Sequence, residues 1–194
     1  MREFTEAFGC HWIGVKFFPA PCKESCLTGE KDLFFCQAIN DGLLSPVVIN
    51  GHNLKCAGAR YVFGWDKSPA GVMREDCISG KRKKPGLIRS FPRLKNKCGS
   101  IGIETAGKPD VAISCMTPDN VMRLIEKYVD RTGKTIKTEL SCYMSVCGAV
   151  AVKAFLTKEI CISFGCRNSR KYAQIGGQNL VVGVPKNLFG IIGG

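Results

Sequence analysis

Two matching pairs of cysteines stand out among the twelve in this chain. Cys36-Gln37-Ala38-Ile39 is followed 20 positions on by Cys56-Ala57-Gly58-Ala59-Arg60, and Cys147-Gly148-Ala149-Val150 is followed 19 positions on by Cys166-Arg167-Asn168-Ser169-Arg170. Each pair encloses a branched apolar run, Val47-Val48-Ile49 in one and Ile160-Cys161-Ile162 in the other. Four thiolates without histidine suit an iron–sulfur cluster or a structural zinc. Zinc sites usually use Cys-x-x-Cys knuckles, and this chain has none, so the spacing favours a [4Fe-4S] cluster with zinc as the alternative. The expected ligands are Cys36, Cys56, Cys147 and Cys166, with Cys142, in the spacing Cys142-x4-Cys147, as a substitute. Arg60 and Arg170, each four positions after a cysteine, are expected to offset cluster charge or hold an anion.

The elements that must position these thiols follow from local pattern. Trp12 to Phe18 reads as a strand closed by Pro19 and Pro21. Asp32 is expected to cap a helix through Leu44, with Phe35, Ile39 and Leu43 at helical spacing. Val47 to Ile49 is a short strand, and Asn53 is expected to cap a helix from Cys56 to Phe63. Ala70 to Cys77 is a weaker helix, and Ile101 to Thr105 a strand. Asp110 to Cys115 is a strand, and Pro118 opens a helix that Gly133 ends. Lys134 to Leu140 alternates like a strand, Cys147 to Leu156 is helical, and Ile160 to Phe164 and Leu180 to Val184 are strands. Cys36 and Cys147 sit near helix starts, where the partial positive charge favours thiolate. The order predicts an α/β or α+β fold, a single layered domain over 1–194. Its halves, 10–90 and 100–190, each read strand–helix–strand–helix and join at a four-cysteine site.

Other constellations are thinner. Cys10-His11 with Cys22 and Cys26 has ligand types for a second metal, although its spacing matches no specific motif. Cys115 and Cys161, inside apolar strands, read as packing residues, as do Cys77 and Cys98. His52, in Asn50-Gly51-His52-Asn53, reads as an exposed turn residue. No phosphate-cradling, dinucleotide or zinc-protease motif is present.

Composition limits the partners. Hydrophobic content of 45% and charged content of 23% exclude a disordered chain. The start, Met1 to Glu6, lacks the apolar run of a signal peptide, and no stretch has the length of a membrane span. These features set the expectation of a reducing cytoplasm, in an oxygen-poor cell if a cluster is held. The net charge of +12 points to an anionic partner: a small anionic ligand, an acidic redox partner protein or nucleic acid. Lys81-Arg82-Lys83-Lys84 is a run without the interleaved aromatics of a nucleic-acid stripe, so a basic nucleic-acid binder is a remote alternative.

Several segments together resemble the domain-of-unknown-function family 169. They are Val15-Lys16-Phe17-Phe18, Phe35-Cys36-Gln37-Ala38, Cys56-Ala57-Gly58-Ala59, Ser114-Cys115-Met116-Thr117-Pro118, Val146-Cys147-Gly148, Phe164-Gly165-Cys166-Arg167 through Arg170, and Val182-Gly183-Val184-Pro185. The resemblance runs from about Val15 to Pro185. It implies a shared fold and supports the choice of the four cysteines, without supplying a reaction. Cys22, Cys26, Cys77 and Cys98 gain nothing from it.

Overall fold

In a computed structural model, residues 1–21, 33–74, 85–95, 98–138 and 140–194 are described. Nine α-helices are found among them: α1 (Arg2–Phe8), α2 (Phe35–Asp41), α3 (Ala57–Val62), α4 (Ala70–Arg74), α5 (Pro85–Ser90), α6 (Pro118–Thr132), α7 (Lys153–Thr157), α8 (Arg167–Tyr172) and α9 (Phe189–Ile192). Interleaved with them are β1 (Trp12–Phe18), β2 (Val47–Asn50), β3 (Ser100–Glu104), β4 (Val111–Met116), β5 (Cys161–Ser163) and β6 (Leu180–Pro185). The strands form one sheet in the order β2-β3-β1-β4-β6-β5, with every neighbouring pair antiparallel. The mixed α/β expectation holds.

The strand order repeats. In the first half, the opening strand β1 lies innermost, the last strand β3 beside it and the middle strand β2 at the edge. In the second half β4, β6 and β5 take the same three places. The halves meet where β1 pairs with β4, with Ile13 opposite Ile113. One face of the sheet carries a core that includes Ile13, Val15, Ile101, Ile113 and Val181, covered by α2, α3 and the Cys147 segment. The other face is covered mainly over the second half, where Trp12, Met116, Val182 and Val184 pack with Phe4 of α1, Leu124 of α6 and Ile192 of α9. The C-terminal segment thus docks on the chain's own core.

The local rules explain several boundaries. Thr117 caps α6 by accepting from the Asn120 N–H at 3.4 Å, Pro118 takes the first turn, and Gly133 ends the helix at φ 65. Four expectations need correction or narrowing. Phe34, rather than Asp32, holds the N-cap position of α2, and Asp32 lies outside the described residues, as does the end of the 70–77 helix. Asn53 does not cap α3: its Oδ1 accepts from the Asn50 N–H at 2.8 Å and closes the turn after β2. Described residues of 134–140 are not a strand, because Thr138 reaches β5 through its hydroxyl, which donates to the Ile162 carbonyl at 3.0 Å. Finally, Ser145–Val152 winds as a π-helix, with the Ala149 N–H bonded to the Met144 carbonyl five residues back, before α7 continues it.

Candidate functional site

Four separate segments bring the paired cysteines together. A backbone bridge between Leu33 and Leu54, with Leu33 N–H donating to Asn53 O (3.0 Å) and Lys55 N–H to Leu33 O (2.9 Å), ties the entry of α2 to that of α3. Cys36 follows in the first turn of α2, and Cys56 is the N-cap residue of α3. On the other side, Phe34 stacks on Tyr172 of α8 with ring centroids 4.1 Å apart. Cys166 is the N-cap residue of α8, and Cys147 is the third residue of the π-helix. All four line one cavity of about 30 Å3, together with Phe35, Gly58, Met144, Ser145, Val146, Asn168 and Ser169.

Small residues make this approach possible. A Cβ on Gly58 would come within 3.0 Å of Met144 Cγ, and one on Gly148 within 3.2 Å of Phe91 and Val62. Gly165, at φ +82, turns the chain from β5 into Cys166. Cys166 and Ser169 then form a reciprocal capping box. The Cys166 thiol accepts from the Ser169 N–H at 3.4 Å, and Ser169 Oγ accepts from the Cys166 N–H at 2.7 Å. Met144 sits in the left-handed region at φ 43, which is costly for a residue with a side chain.

The electrostatics run against the expectation of helix-start thiolates. Burial, and then the neighbouring Cys166, push the Cys36 thiol up to about 12. Cys147 is raised well above the ordinary thiol value by burial, then by Cys56, Cys166 and Cys36 in turn. Backbone N–H groups of Gln37 and Gly148 pull the other way and lose. Desolvation therefore outweighs the helix ends at Cys36 and Cys147, and both sense neighbouring sulfurs as like charges. As protein groups alone Cys36 and Cys147 are neutral thiols. Among the described residues, no three His, Cys, Asp or Glu side chains stand in a geometry that could hold a metal ion. The sulfurs surround a space and do not converge on a point.

Arg60 and Arg170 do not line this cavity. Arg60 pairs with Asp66 at 2.9 Å and donates to the Gly51 carbonyl, in the loop before Cys56. Arg170 donates to the Phe164 carbonyl at 2.6 Å, in the loop before Cys166, and to the carbonyls of Gly176 (2.7 Å), Asn179 (3.3 Å) and Ile175 (3.5 Å). Each arginine thus braces the loop that delivers the second cysteine of its half.

The remaining cysteines stand elsewhere. Cys142 is exposed and does not line the cavity. Cys98 and Cys161 are buried, and the Cys98 thiol donates to the Ser100 carbonyl at 3.3 Å, in keeping with packing roles. Cys10 Sγ lies 3.4 Å from Ser114 Oγ, while Cys22, Cys26 and Cys77 lie outside the described residues, as does the Lys81–Lys84 run. His52 is exposed, in a turn closed by Asn50 Oδ1. Met144, Ser145, Asn168 and Ser169 were not singled out from the sequence; only Ser169, in Cys166-x-x-Ser169, carried a readable signal, that of a capping box.

These features describe a mixed α/β protein whose repeated strand order delivers four thiols to one cavity. The chain belongs to the DUF169 family, described as uncharacterised ArCR, whose model matches residues 9–192 and so spans both halves and all four cysteines. No curated protein and no solved structure matches the chain. Among the described residues, no helix is long and apolar enough to cross a membrane.

Proposed function

We propose that Cys36, Cys56, Cys147 and Cys166 hold a [4Fe-4S] cluster, and that the protein serves electron transfer or redox chemistry on a small anionic molecule in an anaerobic cytoplasm. The observation that carries this reading is the meeting of four thiols, from four segments, in a cavity lined by no carboxylate, imidazole or ammonium among the described residues. A thiolate-only donor set is soft and selects iron–sulfur clusters or zinc. Burial, and then the neighbouring sulfurs, keep Cys36 and Cys147 protonated when the thiols are alone, and a bound cation reverses that preference, so loading would release protons. With all four positions used, no iron is left open for substrate, which favours electron transfer.

The donor types fit a cluster; the present volume does not. A cavity of about 30 Å3 has room for about one water. Loading a cubane therefore requires the thiols and the flexible Met144 side chain to move apart, with metal binding coupled to the local fold. That small volume is what favours the second reading, a single zinc on the same thiolates in a non-enzymatic module. Within the cluster reading, Arg60 and Arg170 act by holding the cysteine loops.

Serine replacement of Cys147 tests the assignment. We expect visible absorbance and iron content to fall to near zero in Cys147→Ser and to remain in Cys142→Ser. Undiminished iron in Cys147→Ser would overturn the ligand assignment, and zinc without colour in the parent protein would favour the second reading.

A further inference from the structure

A second cavity lies beyond the opposite ends of the two helices that bear Cys36 and Cys166. It measures about 250 Å3. Its apolar wall is built by Ile13 and Ile113 from the paired central strands, Ile39 and Leu43 from α2 and the turn after it, and Ile175 after α8. Three carboxamides, those of Asn40, Gln174 and Asn179, reach the same space, and no described residue hydrogen-bonds to their side chains. Ser114 Oγ also lines it; its proton goes to the His11 carbonyl at 2.7 Å, which leaves the oxygen as an acceptor.

The rim is held in place. Gln174 occupies the left-handed region at φ 50, a conformation that persists only where surrounding contacts enforce it. Arg170 supplies those contacts by gathering the carbonyls of Ile175, Gly176 and Asn179. A rim fixed before binding loses little further freedom when a ligand arrives. Among the described residues, the lining holds no Asp, Glu, Lys or Arg, although His11 and the thiols Cys10 and Cys115 also line it, and the nearby Arg170 guanidinium is already occupied by backbone acceptors. An anion here would find no lysine or arginine donor free to bond it.

We propose that this cavity binds a neutral small molecule with a single-ring-sized apolar body and a carboxamide or hydroxyl end. Its volume falls below the range of about 300–1,000 Å3 that suits drug-sized ligands. The apolar end rests on the isoleucines, and the polar end meets the carboxamides, which both donate and accept. Asn40 is four residues after Cys36 on α2, about 6 Å along the helix axis, so the bound molecule lies one helical turn from the cysteine cavity. The binding claim does not rest on a cluster being present.

Benzamide and benzoate, matched in size and different in charge, probe the site on the full-length protein. Ligand-observed saturation-transfer NMR should detect benzamide, with benzoate bound at least about tenfold more weakly because no free lysine or arginine donor meets its carboxylate. Leu43 is partly exposed, so Leu43→Trp can fill the cavity mouth without disturbing the core, and it should abolish the benzamide signal. Gln174→Gly suits the left-handed backbone and removes one carboxamide; it should weaken benzamide about threefold to tenfold with the melting temperature retained. No benzamide signal, benzoate binding as well as benzamide, or benzamide binding unchanged in both variants would overturn the proposal.

Discussion

Cys56 and Cys166 occupy the same place in their halves, each at the N-cap of a short helix that follows an edge strand, and they are held differently. Cys166 is locked by a reciprocal capping box with Ser169, preceded by a left-handed glycine, and braced by an arginine with four backbone acceptors. At Cys56 the side chain makes no capping bond, and Arg60 divides its donors between Asp66 and one carbonyl. The halves differ again behind the sheet. The second is covered on both faces, whereas Lys16, Phe18 and Gly102 of the first are partly or well exposed. What the two halves share is the set of strands and helix starts that deliver thiols to one cavity. What differs is the support behind them, which makes the second half the firmer platform.

Serine at any of the four positions should have the largest effect if both halves contribute equally. Iron content is expected to drop to near zero in Cys147→Ser, Cys56→Ser and Cys166→Ser alike; retention in Cys56→Ser alone would break the symmetry of the comparison. Next come the glycines of β6 and β3, the last strand of each half. A Cβ at Gly183 would sit 2.5 Å from Val150 Cγ1 in the buried π-helix, so Gly183→Ala should cost about 1–3 kcal/mol. At Gly102 the neighbour is the ring edge of the exposed Phe18 at 3.1 Å, which can swing away, so Gly102→Ala should stay within about 0.5 kcal/mol. Urea denaturation of both variants measures the difference.

The repeated cysteine spacing made the paired positions legible, and β1 was legible from its apolar run and the prolines after it. Pro118 and Gly133 marked α6 because each has a single strong conformational role. The π-helix was hidden: Ser145–Val152 is buried all round and carries no periodicity to separate it from an α-helix. Nor could spacing show that burial would outweigh the helix ends at Cys36 and Cys147, since desolvation depends on residues distant in sequence. The strap after α6 alternated like a strand, but its link to β5 runs through the Thr138 side chain. The second cavity was equally invisible, because Asn40, Gln174 and Asn179 meet only after the halves join.

Smaller effects sharpen the contrast in support. Arg170→Met removes the bonds to four carbonyls and should cost about 1–2 kcal/mol, whereas Arg60→Met should cost at most about 1 kcal/mol because its ion pair is partly exposed. Equal losses on denaturation would contradict the view that the second half is braced more firmly. The entry to β3 also carries a buried thiol, Cys98, which burial raises from 9.0 to about 12. The folded protein keeps this proton where the unfolded chain loses it. Its contribution is thus fully present below pH 9.0 and is lost as pH rises to about 12. In the metal-free protein, Cys98→Ala should make the alkaline loss of stability shallower, as followed by denaturation at stepped pH.

The central claim is that two half-sites unite to hold one cluster, and the most direct test is iron and acid-labile sulfide analysis of protein purified without oxygen. About four irons and four sulfides per chain, with broad visible absorbance, are the expected result. A colourless protein that carries zinc or no metal, and that takes up no iron and sulfide on anaerobic reconstitution, would contradict it.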